Sequence, residues 1–220
     1  MTLSCHDLSC LRERWRGRET ARIERVTAEF SPGSLCGITG PHGAGKGLLL
    51  NLLGLIEQAD TGKILLEGRD VTGLNAADRA DVRDHRCGFL FAQTALLPSL
   101  TVAENVAMPI FRILGMDAAS VRDRTLEVLR LMEVEADEGV PAGTLSVRDA
   151  WRTAFARAIA HWPGVVVAIA PAGTPDLLPL ARTLAEQTHT CILWSGPAAT
   201  LEPHCHRLIH LENGRIVRET

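Results

Sequence analysis

The sequence predicts an α/β fold in which helices pack on a mainly parallel sheet, with a smaller antiparallel sheet beside it. Strand-like apolar segments alternate with helical patterns after a strand-rich start of about 34 residues, as is typical of parallel sheets. A glycine-rich loop, Gly40–Gly47, joins one such strand to a helix. Near the end, Asn213-Gly214 separates Arg207–Leu211 from Arg215–Arg218, which predicts an antiparallel hairpin.

Length and composition narrow the class of protein. The 220 residues suffice for one large core, so we expect residues 1–220 to form a single domain. The formal net charge of −3 argues against nucleic acid as a partner. Six cysteines without a CxxC pair predict a reduced protein. Because we find neither a signal peptide nor an apolar run of about 20 residues, we expect a cytoplasmic protein that reaches a membrane only through a partner.

The glycine-rich loop has the features of a P-loop. The apolar segment Leu35–Thr39 predicts a buried strand before it, and Leu48–Ile56 predicts a helix with almost no polar face after it. Backbone N–H groups and the helix N-terminus form a cradle for phosphate, to which the lysine adds a positive charge. The predicted nucleotide-binding residues are Gly40, Pro41, His42, Gly43, Ala44, Gly45, Lys46, Gly47 and Leu48.

One position in this loop departs from the P-loop pattern. The pattern requires Ser or Thr directly after the lysine, because that hydroxyl holds Mg²⁺. This chain has Gly47 there. The sequence therefore predicts a phosphate cradle that has lost a metal ligand.

The strand-rich start contains a second candidate for nucleotide contact. We expect strands at Thr2–Leu8 and Ile23–Phe30, with alternating arginines at positions 12, 14, 16 and 18 between them. The favoured interpretation of these arginines is a solvated strand face, and the alternative is contact with lipid phosphate or nucleotide. Trp15 lies among them and is a candidate to stack on an adenine, although a structural role is equally open.

The middle of the chain predicts the remaining elements. Thr101 and Glu104 have the spacing of a capping box at the start of a helix. Residues from about 92 to 160 are expected to form a helical subdomain. The predicted elements are a strand at Gly62–Gly68, helix Ala76–Asp84, strand Cys87–Phe91, helices Val102–Leu114, Ala118–Glu133 and Arg148–Ala160, strand Val165–Ala170, helix Leu177–Gln187 and strand Thr190–Trp194.

This order of elements resembles the nucleotide-binding domain of ATP-binding-cassette (ABC) transporters, most of all the ATPase subunits of the lipoprotein-release and macrolide-export group. The resemblance rests on Gly40–Lys46, Gly62–Gly68, Gly88–Phe91, Leu96–Val106, Leu145-Ser146, Arg152, Ala156–Ala158, Pro163 and Gly214–Val217. It implies a P-loop NTPase fold of the ABC-cassette type, with ATP and Mg²⁺ as ligands. It also implies two partners, a transmembrane permease and a second cassette in a homo- or heterodimer.

The positions that perform chemistry in this family are replaced here. In the family, a glutamine follows the strand that ends here at Phe91, and this chain has Ala92 in its place. Gln93 comes one residue later, and in an extended segment its side chain would face the other way. Ile169 and Ala170 replace the Asp-Glu pair that orients Mg²⁺ and polarises the attacking water. Ser195 replaces the switch histidine.

The signature loop, Leu-Ser-Gly-Gly-Gln in the family, is Leu145, Ser146, Val147, Arg148 and Asp149 in this chain. In the family, its glycines let backbone N–H groups approach the γ-phosphate bound to a partner subunit. Val147 and Arg148 add side chains in that gap, and Asp149 adds negative charge. The resemblance therefore implies that this chain would impair both sites of a dimer.

The leading hypothesis is a degenerate ABC subunit that binds ATP weakly and binds Mg²⁺ poorly. Since a positioned general base contributes about 10²- to 10⁴-fold, we expect little hydrolysis. A permease would contact the groove at Ala92–Phe111, as the resemblance implies. One alternative is a scaffold that binds no nucleotide. Another is an active ATPase that uses Gln93, Asp176 or His42 instead.

Other polar clusters are weaker signals. His204-Cys205-His206 has metal-binding residue types, but on a strand the two histidines would face away from the cysteine, so no metal site is predicted. Cys36 and Cys87 lie in apolar strands and are expected in the core. Arg152 and Arg157 are expected to be solvated or paired structural charges.

Overall fold

The computed structural model describes residues 1–13, 20–169 and 176–220. The strands are β1 Leu3–Glu13, β2 Thr20–Phe30, β3 Leu35–Thr39, β4 Thr61–Leu66, β5 Arg69–Asp70, β6 Cys87–Leu90, β7 Val165–Ala168, β8 Cys191–Ser195, β9 Arg207–Glu212 and β10 Arg215–Glu219. The helices are α1 Lys46–Leu53, α2 Ala76–Arg86, α3 Val102–Leu114, α4 Ala118–Leu131, α5 Val147–Ile159, α6 Leu177–Thr188 and α7 Ala198–Leu201, with a 3₁₀ turn at Ala142–Thr144.

Two sheets form the framework and confirm the predicted fold class. The four-stranded sheet has the order β2-β1-β4-β5, with antiparallel pairing between neighbours. The six-stranded sheet has the order β10-β9-β3-β8-β7-β6 and is parallel except for β10. Parallel strands end at the same edge, so the segments that follow β3, β8, β7 and β6 lie side by side there.

The parallel sheet is buried on both faces. Alternate residues of β7 enter different cores, with Val165 and Val167 in one and Val166 and Ala168 in the other. The first core also contains β1, β2 and the leucines of α1, which explains why this helix has almost no polar face. The second core contains α3, α4, α5 and α6.

Local signals set several boundaries as predicted. Thr101 and Glu104 form the capping box at the start of α3, with both reciprocal bonds present. Gly115 ends that helix in the left-handed conformation. Asn213 and Gly214 both have positive φ, 49° and 80°, and form the predicted hairpin turn between β9 and β10.

Other boundaries differ from prediction. Helix α1 begins two residues before the predicted Leu48 and ends at Leu53, because Gly54 closes it and Leu55 has a φ of 59°. Strand β1 extends past the predicted Leu8 by bulging while it pairs with both β2 and β4. The four-residue α7 was not predicted. No helix in the described parts of the chain combines the length and apolarity needed to cross a bilayer.

Candidate nucleotide-binding site

The glycine-rich loop follows β3 and is seated against the strands beside it. Gly40 has a φ of 140°, and a Cβ there would lie 2.1 Å from the carbonyl oxygen of Leu211. Gly45 has a φ of 98°, and its Cβ would lie 2.5 Å from the carbonyl oxygen of Arg22. Both positions require glycine, because the conformation and the space each exclude a side chain.

Helix α1 begins directly after this loop with its N-terminus open. Gly45 is the N-cap residue and provides no side-chain capping bond, and the first turn contains no acidic residue. The first N–H groups of a helix lack partners within the helix, and the helix dipole makes that end positive. The loop and the helix start therefore suit an anionic group such as phosphate.

Lys46 places its ammonium group over the loop. Its Nζ donates hydrogen bonds to the carbonyl oxygens of Gly40 at 2.7 Å and Pro41 at 2.8 Å. Partial burial lowers the pKa of this lysine. A phosphate entering the loop would find this cation already in place.

The hairpin between β9 and β10 braces the loop. Gly214 donates its N–H to the carbonyl of Ala44 at 3.0 Å and accepts the N–H of Glu24 at 2.9 Å. A salt bridge between Arg215 and Glu24 lies beside these bonds. The sequence predicted the turn but not this contact, since no local pattern says where a hairpin will dock.

The neighbouring strand ends lack the groups that would hold a metal. Ile169 follows β7, donates its N–H to the carbonyl of Leu90 at 2.8 Å and packs its side chain against the first core. Ser195 ends β8, pairs with Ile38 of β3 and is 7% exposed. Ala170 lies outside the described residues, as does Trp15, so the adenine-stacking prediction stays a prediction.

The residues present do not fit Mg²⁺. A Cβ on Gly47 would meet no atom within 4 Å, so the place of the missing hydroxyl is open space. The side chain of Ile169 is aliphatic, whereas Mg²⁺ takes oxygen ligands in near-octahedral geometry. Within the described ranges, no group of three or more His, Cys, Asp or Glu residues could hold a metal ion.

The segment at the start of α5 is built around its own polar contacts. Ser146 caps the helix, and its Oγ accepts the N–H of Asp149 at 3.0 Å and donates to the carboxylate of Asp149 at 2.8 Å. Arg148 pairs with Glu135 at 2.8 Å and lies 3.8 Å from the carboxylate of Asp176. Val147 is 77% exposed.

Comparison with known proteins identifies the family. The family model described as ABC transporter matches residues 23–168, which is more than half of the chain. The chain belongs to the ABC transporter family. This agrees with the resemblance noted in the sequence and with the strand order of the two sheets.

Two relatives illustrate the range of this family. The lipoprotein-releasing system ATP-binding protein LolD of Hyphomonas neptunium is 32% identical over 201 residues, covering 89% of this chain and 88% of LolD. The macrolide export ATP-binding/permease protein MacB of Pasteurella multocida is 30% identical over 208 residues, covering 92% of this chain but 32% of that longer protein. The chain thus matches about a third of the length of MacB.

Solved structures show the same architecture. The dimeric structure of MJ0796, a bacterial ABC transporter cassette, is similar to this chain with a TM-score of 0.87 at 25% sequence identity. The match covers 99% of this chain and 97% of that one. The fold is therefore that of an ABC cassette of the P-loop NTPase class.

Replacement catalytic groups, considered from the sequence, are placed as follows. Asp176 lies 3.8 Å from both Arg148 and the buried Arg152. Gln93 lies in a bend and is exposed. His42 remains within the glycine-rich loop.

The arginines of α5 have structural partners in this cassette, as predicted. Arg152 is 3% exposed and pairs with the carboxylate of Glu133 at 3.1 Å. Arg157 donates to the carbonyl oxygens of Thr94 at 2.7 Å and Ala95 at 2.6 Å, which fixes the segment that follows β6. Burial lowers the pKa of Arg157, consistent with a structural cation under a loop.

A groove of about 550 Å³ opens between β6, α2 and α3 of the cassette. Phe89, Phe91 and Met108 line it, and the rings of the two phenylalanines stack with centroids 5.6 Å apart. Phe91, Met108 and the nearby Phe111 are 42%, 46% and 55% exposed. These three exposed apolar residues lie within the Ala92–Phe111 stretch or next to it.

The weaker clusters have ordinary structural partners. His204 to His206 lie in the turn before β9 rather than on a strand, and His206 accepts the N–H of Leu35 at 3.0 Å while its other ring nitrogen bonds Glu186 at 2.9 Å. Cys36 and Cys87 are core residues, as predicted. Burial raises the pKa of the Cys87 thiol to about 12.

Proposed function

We propose that this ABC cassette binds ATP weakly through Gly40–Lys46 and does not hydrolyse it. It acts as a non-catalytic partner or regulator of a membrane permease complex. The observation that carries the proposal is the combination of an intact phosphate loop with an aliphatic Ile169 at the end of β7, two strands away at the same edge of the sheet. The loop favours binding of phosphate, whereas the side chain of Ile169 provides no ligand for a metal ion.

Magnitudes favour loss of hydrolysis over loss of binding. Metal-assisted charge neutralisation contributes several kcal/mol to phosphoryl transfer, and a general base adds about 10²- to 10⁴-fold. Phosphate binding depends mainly on backbone N–H groups and Lys46, which remain. Removing the metal ligands and the base therefore affects the reaction far more than the affinity.

A dimer with another cassette would not restore activity easily. In the family, each site combines the P-loop of one subunit with the signature loop of the other. Here, Gly47 and Ile169 weaken the first contribution, while Val147, Arg148 and Asp149 alter the second. We therefore propose a structural or regulatory subunit in a homo- or heterodimer, and the dimeric structure of the similar MJ0796 supports pairing of this kind.

The partner that connects the chain to a membrane is a transmembrane permease. The apolar groove near Ala92–Phe111 supports this assignment, because exposed phenylalanine and methionine side chains suit an apolar helix face. The proposed location is cytoplasmic and peripheral to the inner or plasma membrane, with no role for nucleic acid. The similar protein MacB is named as an ATP-binding/permease protein, which supports the same pairing of functions.

The first test is a titration of a fluorescent ATP analogue against the wild type and Lys46→Ala. A hydrogen bond to a charged group contributes about 1.5–3 kcal/mol, so the variant should bind at least about tenfold more weakly. Thermal unfolding of both proteins controls for folding. Equal and negligible binding would instead favour a scaffold that binds no nucleotide, an interpretation supported by the bonds of Lys46 to its own loop carbonyls.

The second test is steady-state phosphate release with Mg²⁺, with and without a candidate partner cassette. We expect no turnover above background from this chain alone. Metal-dependent turnover that Lys46→Ala abolishes would contradict the proposal. It would mean that groups such as Gln93, Asp176 or His42 replace the missing ones.

A further inference from the structure

We infer that the ligand of this site is a nucleoside di- or triphosphate free of magnesium, bound as the bare anion. The inference rests on the proposed nucleotide binding at Gly40–Lys46 and specifies the chemical form of its ligand. It predicts an affinity that Mg²⁺ does not increase, whereas a site with protein ligands for the metal would prefer the magnesium complex.

The first supporting observation is the empty space at Gly47. A Cβ placed on the backbone of this residue would meet no atom within 4 Å. No neighbouring side chain fills the place where a hydroxyl would be. A metal bound to the phosphates would find only water on this side, and Mg²⁺ gains nothing by exchanging one water for another.

The second observation is the apolar character of the β7 end. Ile169 is partly buried and packs against the first core, which holds its side chain in the hydrophobic part of the edge. A hydrated divalent cation beside this side chain would lose part of its solvation without gaining a ligand. The contact therefore disfavours the metal complex rather than being neutral toward it.

The third observation is the sign of the charges on the loop. Lys46 and the N-terminus of α1 are positive, and the first turn of the helix has no acidic residue. A free nucleotide has more negative charge than its magnesium complex, so this cradle attracts the free form more strongly.

These observations act in the same direction, although the remaining water limits the effect. Bound Mg²⁺ keeps several of its own water molecules, and the open space at Gly47 can hold some of them. The complex is therefore weakened rather than excluded. We expect the dissociation constant in excess Mg²⁺ to be higher than that in EDTA, by up to about tenfold.

The test is competition of unlabelled ATP and ADP against the fluorescent ATP analogue, in excess EDTA and in excess Mg²⁺, with matched ionic strength. Binding that is weaker in Mg²⁺ than in EDTA supports the inference. Binding that Mg²⁺ leaves unchanged or tightens overturns it and leaves the proposed nucleotide binding intact. Absence of binding under both conditions overturns nucleotide binding itself.

Variants test whether the two replaced positions cause this behaviour. Gly47→Ser adds a hydroxyl in open space, and Ile169→Asp adds a carboxylate. The double variant should gain at least about tenfold tightening by Mg²⁺. The matched control, Gly47→Ala with Ile169→Leu, changes the same two positions without adding an oxygen and should gain none.

Folding is monitored by thermal unfolding with and without nucleotide. If the double variant does not fold, Gly47→Ser alone provides the test, since its side chain meets no atom. A rise in melting temperature with ATP that becomes larger in Mg²⁺ for Gly47→Ser, but not for Gly47→Ala, supports the inference. Identical responses of the two folded variants overturn the assigned role of the hydroxyl.

Discussion

The P-loop and the end of β7 lie on the same edge of one sheet, yet they match the sequence pattern of the ABC family to different degrees. The loop keeps every backbone feature of a phosphate cradle, with glycines at positive φ and an open helix start. At the end of β7, Ile169 packs an aliphatic side chain against the core. The loop therefore matches the P-loop pattern in its backbone, whereas Ile169 offers no oxygen ligand.

Folding explains this difference. Gly40 and Gly45 lie against backbone carbonyls of Leu211 and Arg22, so the loop conformation is part of how the strands pack. A carboxylate at the β7 end would contribute little to packing, whereas the partly buried Ile169 stabilises the core through the apolar area it buries. The loop glycines and Ile169 therefore both have a structural role that does not depend on hydrolysis.

The largest expected effect is at Gly40. We expect Gly40→Ala to lower the free energy of unfolding by at least about 3 kcal/mol and to abolish nucleotide binding, because its Cβ would collide with the carbonyl of Leu211. Urea unfolding and analogue titration measure both. Gly43→Ala is the matched control: it also has positive φ but open space, and should cost about 1–2 kcal/mol. Equal costs would show that packing does not hold the loop.

The signature segment should lose stability when glycines are introduced, whereas the P-loop should lose it when Gly40 is replaced. Replacing Val147, Arg148 and Asp149 by the family's Gly-Gly-Gln should lower stability by about 2 kcal/mol, since two glycines enter the first turn of α5 and the Arg148 ion pairs are lost. Urea unfolding checks this value. Phosphate release should stay at background, because the β7 end is still incomplete. Recovery of ATP turnover from this change alone would show that the end of β7 does not limit hydrolysis.

A smaller effect distinguishes two glycines of the same loop. Gly47→Ala should raise the free energy of unfolding by about 0.5–1 kcal/mol, because the position is helical, its surroundings are open and alanine favours helix. Thermal and urea unfolding measure the gain. A loss of stability would mean that Gly47, like Gly40, is required by the backbone.

The smallest expected effect is a pH dependence outside both regions. Burial lowers the pKa of His161, whose Nε2 bonds the carbonyl of Cys87 at 3.2 Å. The folded chain therefore keeps this histidine neutral, whereas the unfolded chain takes up a proton below about pH 6.5. Stability present above that pH is lost as the pH falls toward the folded-state pKa.

His161→Gln should flatten this decline below about pH 6.5, as measured by urea unfolding at a series of pH values. An unchanged profile in His161→Gln would contradict the assignment.

Much of the fold follows from local sequence signals. The capping box at Thr101, the stop at Gly115 and the turn at Asn213-Gly214 are determined by short-range chemistry, and the structure confirms each of them. The apolar run at Val165–Ala168 predicted a buried strand because both of its faces are covered. Residues that interact only with near neighbours in sequence are the most predictable.

Long-range contacts were less predictable. Nothing in the local patterns indicated that Gly214 bonds to Ala44, or that Arg148 and Arg152 both approach Asp176. Such contacts depend on how distant elements pack, which a short motif does not encode. For the candidate site, the motif predicted the cradle, whereas only the structure placed Ile169 against the core and open space at Gly47.

The brace at Gly214 has a practical consequence. The N–H of this glycine donates a hydrogen bond to the carbonyl of Ala44 in the phosphate loop, and its carbonyl accepts the N–H of Glu24. A displacement of the loop on nucleotide binding would therefore be transmitted to β10, where Val217 is 53% exposed. A fluorophore attached at that position would sense occupancy from outside, without a label touching the cradle.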